Sequence, residues 1–484
     1  MPDIELTYPI LRMNINNQSL QFADNDILEA EVVQEIHPLS IEVPISTARV
    51  RIYTEDPRFS PFADGEFYYS LVSNMRMDLY ERLDNNEHFL GRFYLEDRHN
   101  PVENSFEFVL RDAVGVLDTI PFDGMFWAVP TPVKNVIASI LDPVGIPYTV
   151  DSAVGERLIN GYLPGNKTVR EVLQQALFAA RAYASTAKSE SINIKDAVLP
   201  RAGVNWPQKK YSEGKYGQLF YGPQILQGII TDTDKTMETA LKQLPLVTAI
   251  QIQAHDYTEG QTEEEIYNAV LPPGDFKIIY PKSYHTVTAT GVGDIPEWLT
   301  CEDGSVLVTE DSGAYPNCTI IVKHGAFEFG PNSLTLHVVP PGGQVIVKGY
   351  PWLDSTRVFY YNEAEAMHQF STGFKFGQIK YAGAKYSKIW VESAARNEWT
   401  ITDATMVSSA NAPEVLSKLV EYARLRYQQE VKLFPRTDTE PGNIKLADSL
   451  YGKDIVGIVE KTVSDLTGGY LINTELVGVE RKVR

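Results

Sequence analysis

The chain has 484 residues, 43% of them hydrophobic, with 63 acidic against 43 basic side chains and a formal net charge of -20. That length predicts several domains, each with enough apolar residues for a core, and the charge argues against a surface built to bind nucleic acid, which needs cations to displace counterions from phosphate. No apolar run approaches the ~18 residues of a membrane span, and Met1-Pro2-Asp3 opens no basic-then-apolar leader.

Residues 1–115 read as antiparallel β structure. Ile27 to Ile36 is strand-like up to His37-Pro38, and Ile41, Val43 and Ile45 alternate with polar residues, as do Val50 and Ile52. Met75, Met77, Leu79 and Leu83 share one strand face opposite Arg76, Asp78 and Arg82. Asp84-Asn85-Asn86 turns into a strand from Phe89 to Leu95, Asn100-Pro101 turns again, and Phe106, Phe108 and Leu110 line the next strand. Short strands between regular turns predict a barrel or sandwich.

Residues 116–205 are mixed α/β. Thr131-Pro132 has the pattern of a helix cap followed by proline at the first helical position, with Val133, Val136, Ile137, Ile140 and Leu141 as the buried face and Asp142-Pro143 as the stop. A short extended piece follows at Ile146 to Val150. Thr168 and Glu171 have capping-box spacing. Val169, Val172, Leu173, Ala176, Leu177 and Ala180 then recur on one helix face. Asn160-Gly161 and Pro164-Gly165 turn on either side of Tyr162-Leu163 before this helix, and Ile192 and Ile194 alternate as in a strand after it.

Residues 206–280 return to strands at Leu219 to Tyr221, Ile225 to Ile230 and Val247 to Ile252, and the acidic stretch His255 to Glu265 reads as a solvated loop. Residues 281–350 read as an inserted β-sandwich module with strands at Thr319 to Lys323, Ser333 to Val339 and Gln344 to Lys348 and a turn at Pro340 to Gly343. Trp298, Tyr315 and Phe327 would be the stacking residues if the module bound sugar; a β core is the expected use of such aromatics. Residues 351–484 resume the strands, at Phe376 to Tyr381, Tyr386 to Val391 and Trp399 to Ile401. Asn411 and Glu414 have capping-box spacing for a helix near 411–430 whose apolar face is Val415, Leu416, Leu419, Val420, Ala423 and Tyr427. A hairpin of Ile455 to Val463 and Tyr470 to Val477 turns at Asp465-Leu466-Thr467-Gly468-Gly469.

No catalytic, cofactor-binding or metal-binding residue is assigned. His37, His88, His99, His255, His285, His324, His337 and His368 are scattered without a zinc-peptidase pair, and the sequence has no phosphate-cradling glycine loop or nucleophile elbow. Acidic pairs such as Glu363 and Glu365 do not define a glycosidase dyad, because the required carboxylate separation is not readable from sequence. Cys301 and Cys318 make no disulfide framework; two reduced thiols are expected, with pairing as the alternative.

Several segments, in order, resemble the tail-tip or baseplate hub proteins of phages. They are Glu35-Ile36-His37-Pro38-Leu39-Ser40-Ile41-Glu42-Val43-Pro44-Ile45-Ser46-Thr47; Asp112 to Asp118; Gly161-Tyr162-Leu163-Pro164 with Thr168 to Ala179; and Gly457-Ile458-Val459-Glu460 with Asp465 to Gly469 and Glu475 to Gly478. Gly452-Lys453-Asp454 departs from the Gly-Asp pair expected before the last of these. The resemblance implies a mainly β chain with α+β portions: two tail-tube-like antiparallel β-barrels, a small α/β linking domain and the inserted module. It implies a homotrimer presenting six barrels, joining a six-fold tail tube to a three-fold tip or spike.

Implied partners are the tail tube protein, the tip or spike protein, the tape-measure protein and other baseplate proteins. DNA would pass through the channel without specific binding, and no stable membrane insertion is expected. The particle would be a phage or a headless phage-tail-like particle, assembled in the bacterial cytoplasm. The expected role is not enzymatic: Arg484 lies six residues past Gly478, so no peptidase or glycosidase domain is expected after the hub fold. A tail-associated cell-wall hydrolase and a receptor-binding protein using the module are the alternatives.

Overall fold

The computed structural model describes residues 8–480 apart from 41, 63–64, 84–85, 166, 201–225, 293–319, 323–331, 339–342, 363–396, 435, 437, 448–453 and 468–470. The chain is mainly β and mostly antiparallel. The expected strands at Leu219–Tyr221, Phe376–Tyr381 and Tyr386–Val391 lie outside the described residues, as do Glu363, Glu365, Cys301, Cys318, Trp298, Tyr315, Phe327, Pro340 to Gly342 and the Gly468-Gly469 turn.

The first strand set is β1 (Tyr8–Ile15), β2 (Gln18–Ala23), β3 (Ile27–Glu35), β4 (Thr47–Tyr53), β5 (Arg76–Leu83), β6 (Asn86–His99) and β7 (Ser105–Arg111), with a short helix α1 (Glu66–Ser70) between β4 and β5. Alternation drives the curl: Met77 and Leu79 of β5, Val50 and Ile52 of β4, and Phe106, Phe108 and Leu110 of β7 all turn into one core, where Phe59 meets Phe22, Phe67 and Phe106. Residues 42–46 form no strand, contrary to their alternation. Val43 is instead buried in the core of the α/β unit, and its carbonyl accepts from both Nε and Nη2 of Arg170, at 2.9 and 2.7 Å.

The α/β unit contains α2 (Ala113–Leu117), β8 (Met125–Pro132), α3 (Val133–Leu141), β9 (Tyr148–Val150), α4 (Ser152–Gly155), β10 (Leu158–Leu163), α5 (Val169–Ala180), β11 (Ala182–Ser185) and β12 (Ile192–Asp196). The capping box of α5 is formed: Thr168 Oγ1 accepts from the Glu171 N–H, and the Glu171 carboxylate accepts from the Thr168 N–H. Its six periodic apolar residues are all buried. Thr131 does not cap α3. The β8–β10 pairing runs through Pro132, so Thr131 is still strand, and Pro132 occupies the cap without a side-chain bond. Gly161, at φ +142°, lets β10 approach the 404–407 segment so closely that a Cβ would lie 2.3 Å from the Thr405 carbonyl oxygen.

The rest of the chain contains β13 (Ile229–Ile230), β14 (Lys235–Gln243), β15 (Ala249–Glu259), β16 (Glu264–Leu271), β17 (Gly274–Ile279), β18 (Tyr284–Val292), β19 (Ile320–Val322), β20 (Ser333–Val338), the long β21 (Gly343–Asn362), β22 (Glu398–Ile401), α6 (Ala412–Ala423), β23 (Tyr427–Leu433), β24 (Ile444–Ala447), β25 (Ile455–Asp465) and β26 (Leu471–Glu480). The acidic stretch after His255 is two strands joined at 260–263, not a loop. His255 is buried with Nδ1 at 2.8 Å from Asp354, and Asp256 accepts from the Ser409 N–H at 2.9 Å. The helix at Ala412 starts without the expected cap, because the Asn411 side chain closes the preceding turn, accepting from Ser408 N–H and donating to Met406 O. Of its expected face, Val415, Leu419 and Val420 are buried, while Tyr427 already belongs to β23.

The module's apolar cluster runs from Leu271 and Ile278 through Leu334 and Leu336 to Val345 and Val347. Its strands therefore begin at Glu264 rather than after 281, since β16 pairs with β21 and β17 with β20. Beyond the module, the second half of β21 pairs with β15, and β15 with β22. Ile250, Ile252 and Ala254 of β15 join the core of the α/β unit and α6 instead of the tube-like sheet.

Candidate interface: the seam between the two strand sets

The second strand set repeats the first. Its order is β14-β23-β26-β25-β24-β13, and the first set has β3-β4-β7-β6-β5-β1 followed by β2, which has no counterpart. Matching β1 to β13, β3 to β14, β4 to β23, β5 to β24, β6 to β25 and β7 to β26 keeps both chain order and neighbours. One pairing differs: β1 is antiparallel to β5, whereas the two-residue β13 is parallel to β24. A bulge falls at the same place in each set, between Leu95 and Asp97 of β6 and between Val459 and Lys461 of β25. A bulge re-aims the strand that carries it.

Past its bulge, β25 leaves β24 behind and pairs with β3, from Lys461↔Glu35 to Asp465↔Glu31, so the two sets share one 13-stranded sheet. The Ile36 N–H donates to Glu460 O at 2.8 Å, and Lys461 Nζ stands 2.9 Å from Glu35. The hairpin tip then enters the first set. Leu466, 1% exposed, joins its core; the Leu466 N–H donates to Ala30 O at 2.8 Å, and Thr467 Oγ1 accepts from the Ala30 N–H.

The α/β unit is fastened to the β3–β4 connection of the first set. Arg170 holds the Val43 carbonyl with Nη1 3.3 Å from Asp118. Asp112 caps α2 through Gly115 N–H and accepts from Thr186 Oγ1 at 2.7 Å; burial raises its carboxyl. On the other side, the Tyr422 hydroxyl of α6 donates to Glu460 Oε1 at 2.8 Å, beside a cavity of about 320 Å³ lined by Leu244, Trp399, Gln428 and Glu475. Burial, with Glu475 and Glu35 adding repulsion against the Tyr422 bond, pushes Glu460 up to about 8. Burial likewise pushes Glu81, on the inner face of β5, up to about 7, opposed by Lys188.

Among the described residues no group of three or more His, Cys, Asp or Glu is placed to hold a metal ion. Sequence reasoning missed Leu466 and Glu460; the signals were an apolar side chain in an otherwise polar turn and one acid inside the run Ile455 to Val459 and Thr462-Val463.

No family model matches the sequence, and no curated protein matches it. Solved structures similar to the chain include a tail protein from Neisseria meningitidis MC58 (8% identity, 98% of this chain and 97% of that one, TM-score 0.47). A prophage tail protein from Listeria monocytogenes EGD-e is similar at 8% identity over 98% of this chain and 95% of that one, with TM-score 0.45. The 43 kDa tail protein of prophage MuSo2 from Shewanella oneidensis is similar at 10% identity over 97% and 98%, with TM-score 0.44.

Proposed function

We propose that this protein is a structural hub at the tail tip or baseplate of a phage or phage-tail-like particle. The observation that carries the reading is the single sheet running through two strand sets whose six matched strands share one order, joined by β3 and β25. One chain then supplies two tube-like units side by side, and three chains supply six around a channel, matching a six-fold tube on one face and a three-fold tip or spike on the other. The resemblance of the Glu35–Thr47, Asp112–Asp118, Gly161–Ala179 and Gly457–Gly478 segments to hub proteins points the same way.

On this reading the protein is mechanical, not catalytic. It closes the tube, anchors the tip, holds the tape-measure end and opens for ejection, and the chain's net charge of -20 lets DNA or ejected protein slide past without binding. The partners are the tube, tip or spike, tape-measure and neighbouring baseplate proteins. Deleting the gene from the producing strain tests this. The expected result is particles without assembled tips, restored by the gene in trans; intact, infective or bactericidal tails would refute it.

A further inference from the structure

Glu460 is the extra residue of the β25 bulge: Val459 pairs with Leu476 and Lys461 with Glu475, and Glu460 has no register partner on β26. A bulge re-aims the side chain it carries, and Glu460 lines the cavity of about 320 Å³ between α6 and the second strand set. Glu475 lines it too, accepting at Oε1 from the Gln428 side chain. The walls are Leu244 and Val247 of the β14–β15 link and the rings of Trp399 and Tyr422, whose centroids are 6.4 Å apart.

Charge in this cavity is unbalanced. Glu460 is 7% exposed. The Tyr422 hydroxyl donates to its Oε1 at 2.8 Å, and Oε2 receives no donor among the described residues. Among the described residues no lysine or arginine lines the cavity, and neither Glu460 nor Glu475 has an ion-pair partner. Burial pushes the Glu460 carboxyl up to about 8, with Glu475 and Glu35 adding repulsion against the Tyr422 bond. A buried carboxylate without a counter-charge is costly, and ring faces attract a cation. The apolar walls select the kind of cation: they offer a metal ion no ligand oxygen, but they bury the carbon chain of an organic one. The volume is at the small end of ligand pockets, roughly 300–1,000 Å³, which suits a short chain.

We infer that this cavity binds an aliphatic ammonium ion, with the charged nitrogen between the Glu460 and Glu475 carboxylates beside the Trp399 and Tyr422 rings and the carbon chain along Leu244 and Val247. Bound there, it ties α6 to β25 and β26 next to the residue whose backbone carbonyl takes the Ile36 N–H of the seam. A free aliphatic amine and a lysine side chain of a neighbouring protein carry the same chemistry. The site is independent of the hub reading.

Calorimetric titration of the full chain with n-butylamine tests it. Saturable binding of one amine per chain is expected, at least tenfold tighter than n-butanol. Cation binding favours the ionised carboxyl, so affinity should rise at least tenfold from about pH 6 to about pH 8. Glu460→Gln keeps the shape and an acceptor for Tyr422, and should lose both the affinity and its pH dependence. Trp399→Leu should weaken binding severalfold. No saturable binding, equal affinity for n-butanol, or unchanged binding by Glu460→Gln would each overturn the proposal. In the native assembly isolated from producing cells, mass spectrometry of acid-released small molecules should find a stoichiometric amine if the source is free. Carbodiimide should instead couple Glu460 or Glu475 to a lysine of another protein if the source is a side chain. An assembly giving neither would also overturn the proposal.

Discussion

The Leu466 N–H donates to the carbonyl of Ala30 at 2.8 Å, while the Leu466 side chain fills the core of a strand set that the chain completed more than 300 residues earlier. The hairpin tip is therefore a bolt between the two sets. Leu466→Ala should cost about 2–5 kcal/mol, the usual range for emptying a buried leucine site. Thermal melting checks it: a drop of several degrees is expected, and an unchanged midpoint would mean that the tip is not seated.

The α5 helix should respond in two graded steps. Thr168→Ala removes the hydroxyl that accepts from Glu171 N–H and should cost ~1 kcal/mol. Leu173→Asp puts a charge where the side chain is fully buried and should prevent soluble folding. Chemical denaturation of the first and solubility of the second are the measurements.

Legibility in the sequence followed the range of the interactions. The α5 face and its capping box are local: spacing alone puts Thr168 beside Glu171, and the structure forms both bonds. Strand faces such as Phe106, Phe108 and Leu110 are equally local. Where the sequence misleads, a partner outside the periodic pattern decides. Arg170 takes the Val43 carbonyl and holds 42–46 as irregular chain, and Asn411 spends its cap on Ser408 and Met406. The long β21 pairs with both β15 and β16, turning the acidic stretch into strand, and the Ser409 N–H donates to Asp256. The seam has no local mark, because β3 and β25 are opposite ends of the chain.

Removing the module should succeed only at the boundary set by its strands. Glu259 and Trp352 are register partners, and Gly260 N–H donates to Pro351 O at 2.8 Å. Replacing 261–350 by a short turn should therefore close β15 onto β21 and leave a soluble remainder. Deleting only 285–348 would strip Leu271 and Ile278 of their core and should aggregate. Equal solubility of the two deletion variants would contradict this division.

Glu460 and Glu81 set a pH dependence. Both carboxyls are raised in the folded chain, from 4.5 to about 8 and about 7. Between those limits the folded state holds protons that the unfolded state has released, so their contribution is fully present below about 4.5 and is lost as pH rises through 7 to 8. Glu460→Gln with Glu81→Gln should flatten the fall in melting temperature across that window. A slope identical to the parent's would show that neither group carries it.

The copy number at the tip tests the central claim most directly. Averaging assembled tails by electron microscopy without imposed symmetry should give three copies of this chain around the channel, each covering two of six quasi-equivalent positions, with a net negative channel wall. Six copies, one barrel of each facing the tube, would make it a tube or tube-cap protein and contradict the account.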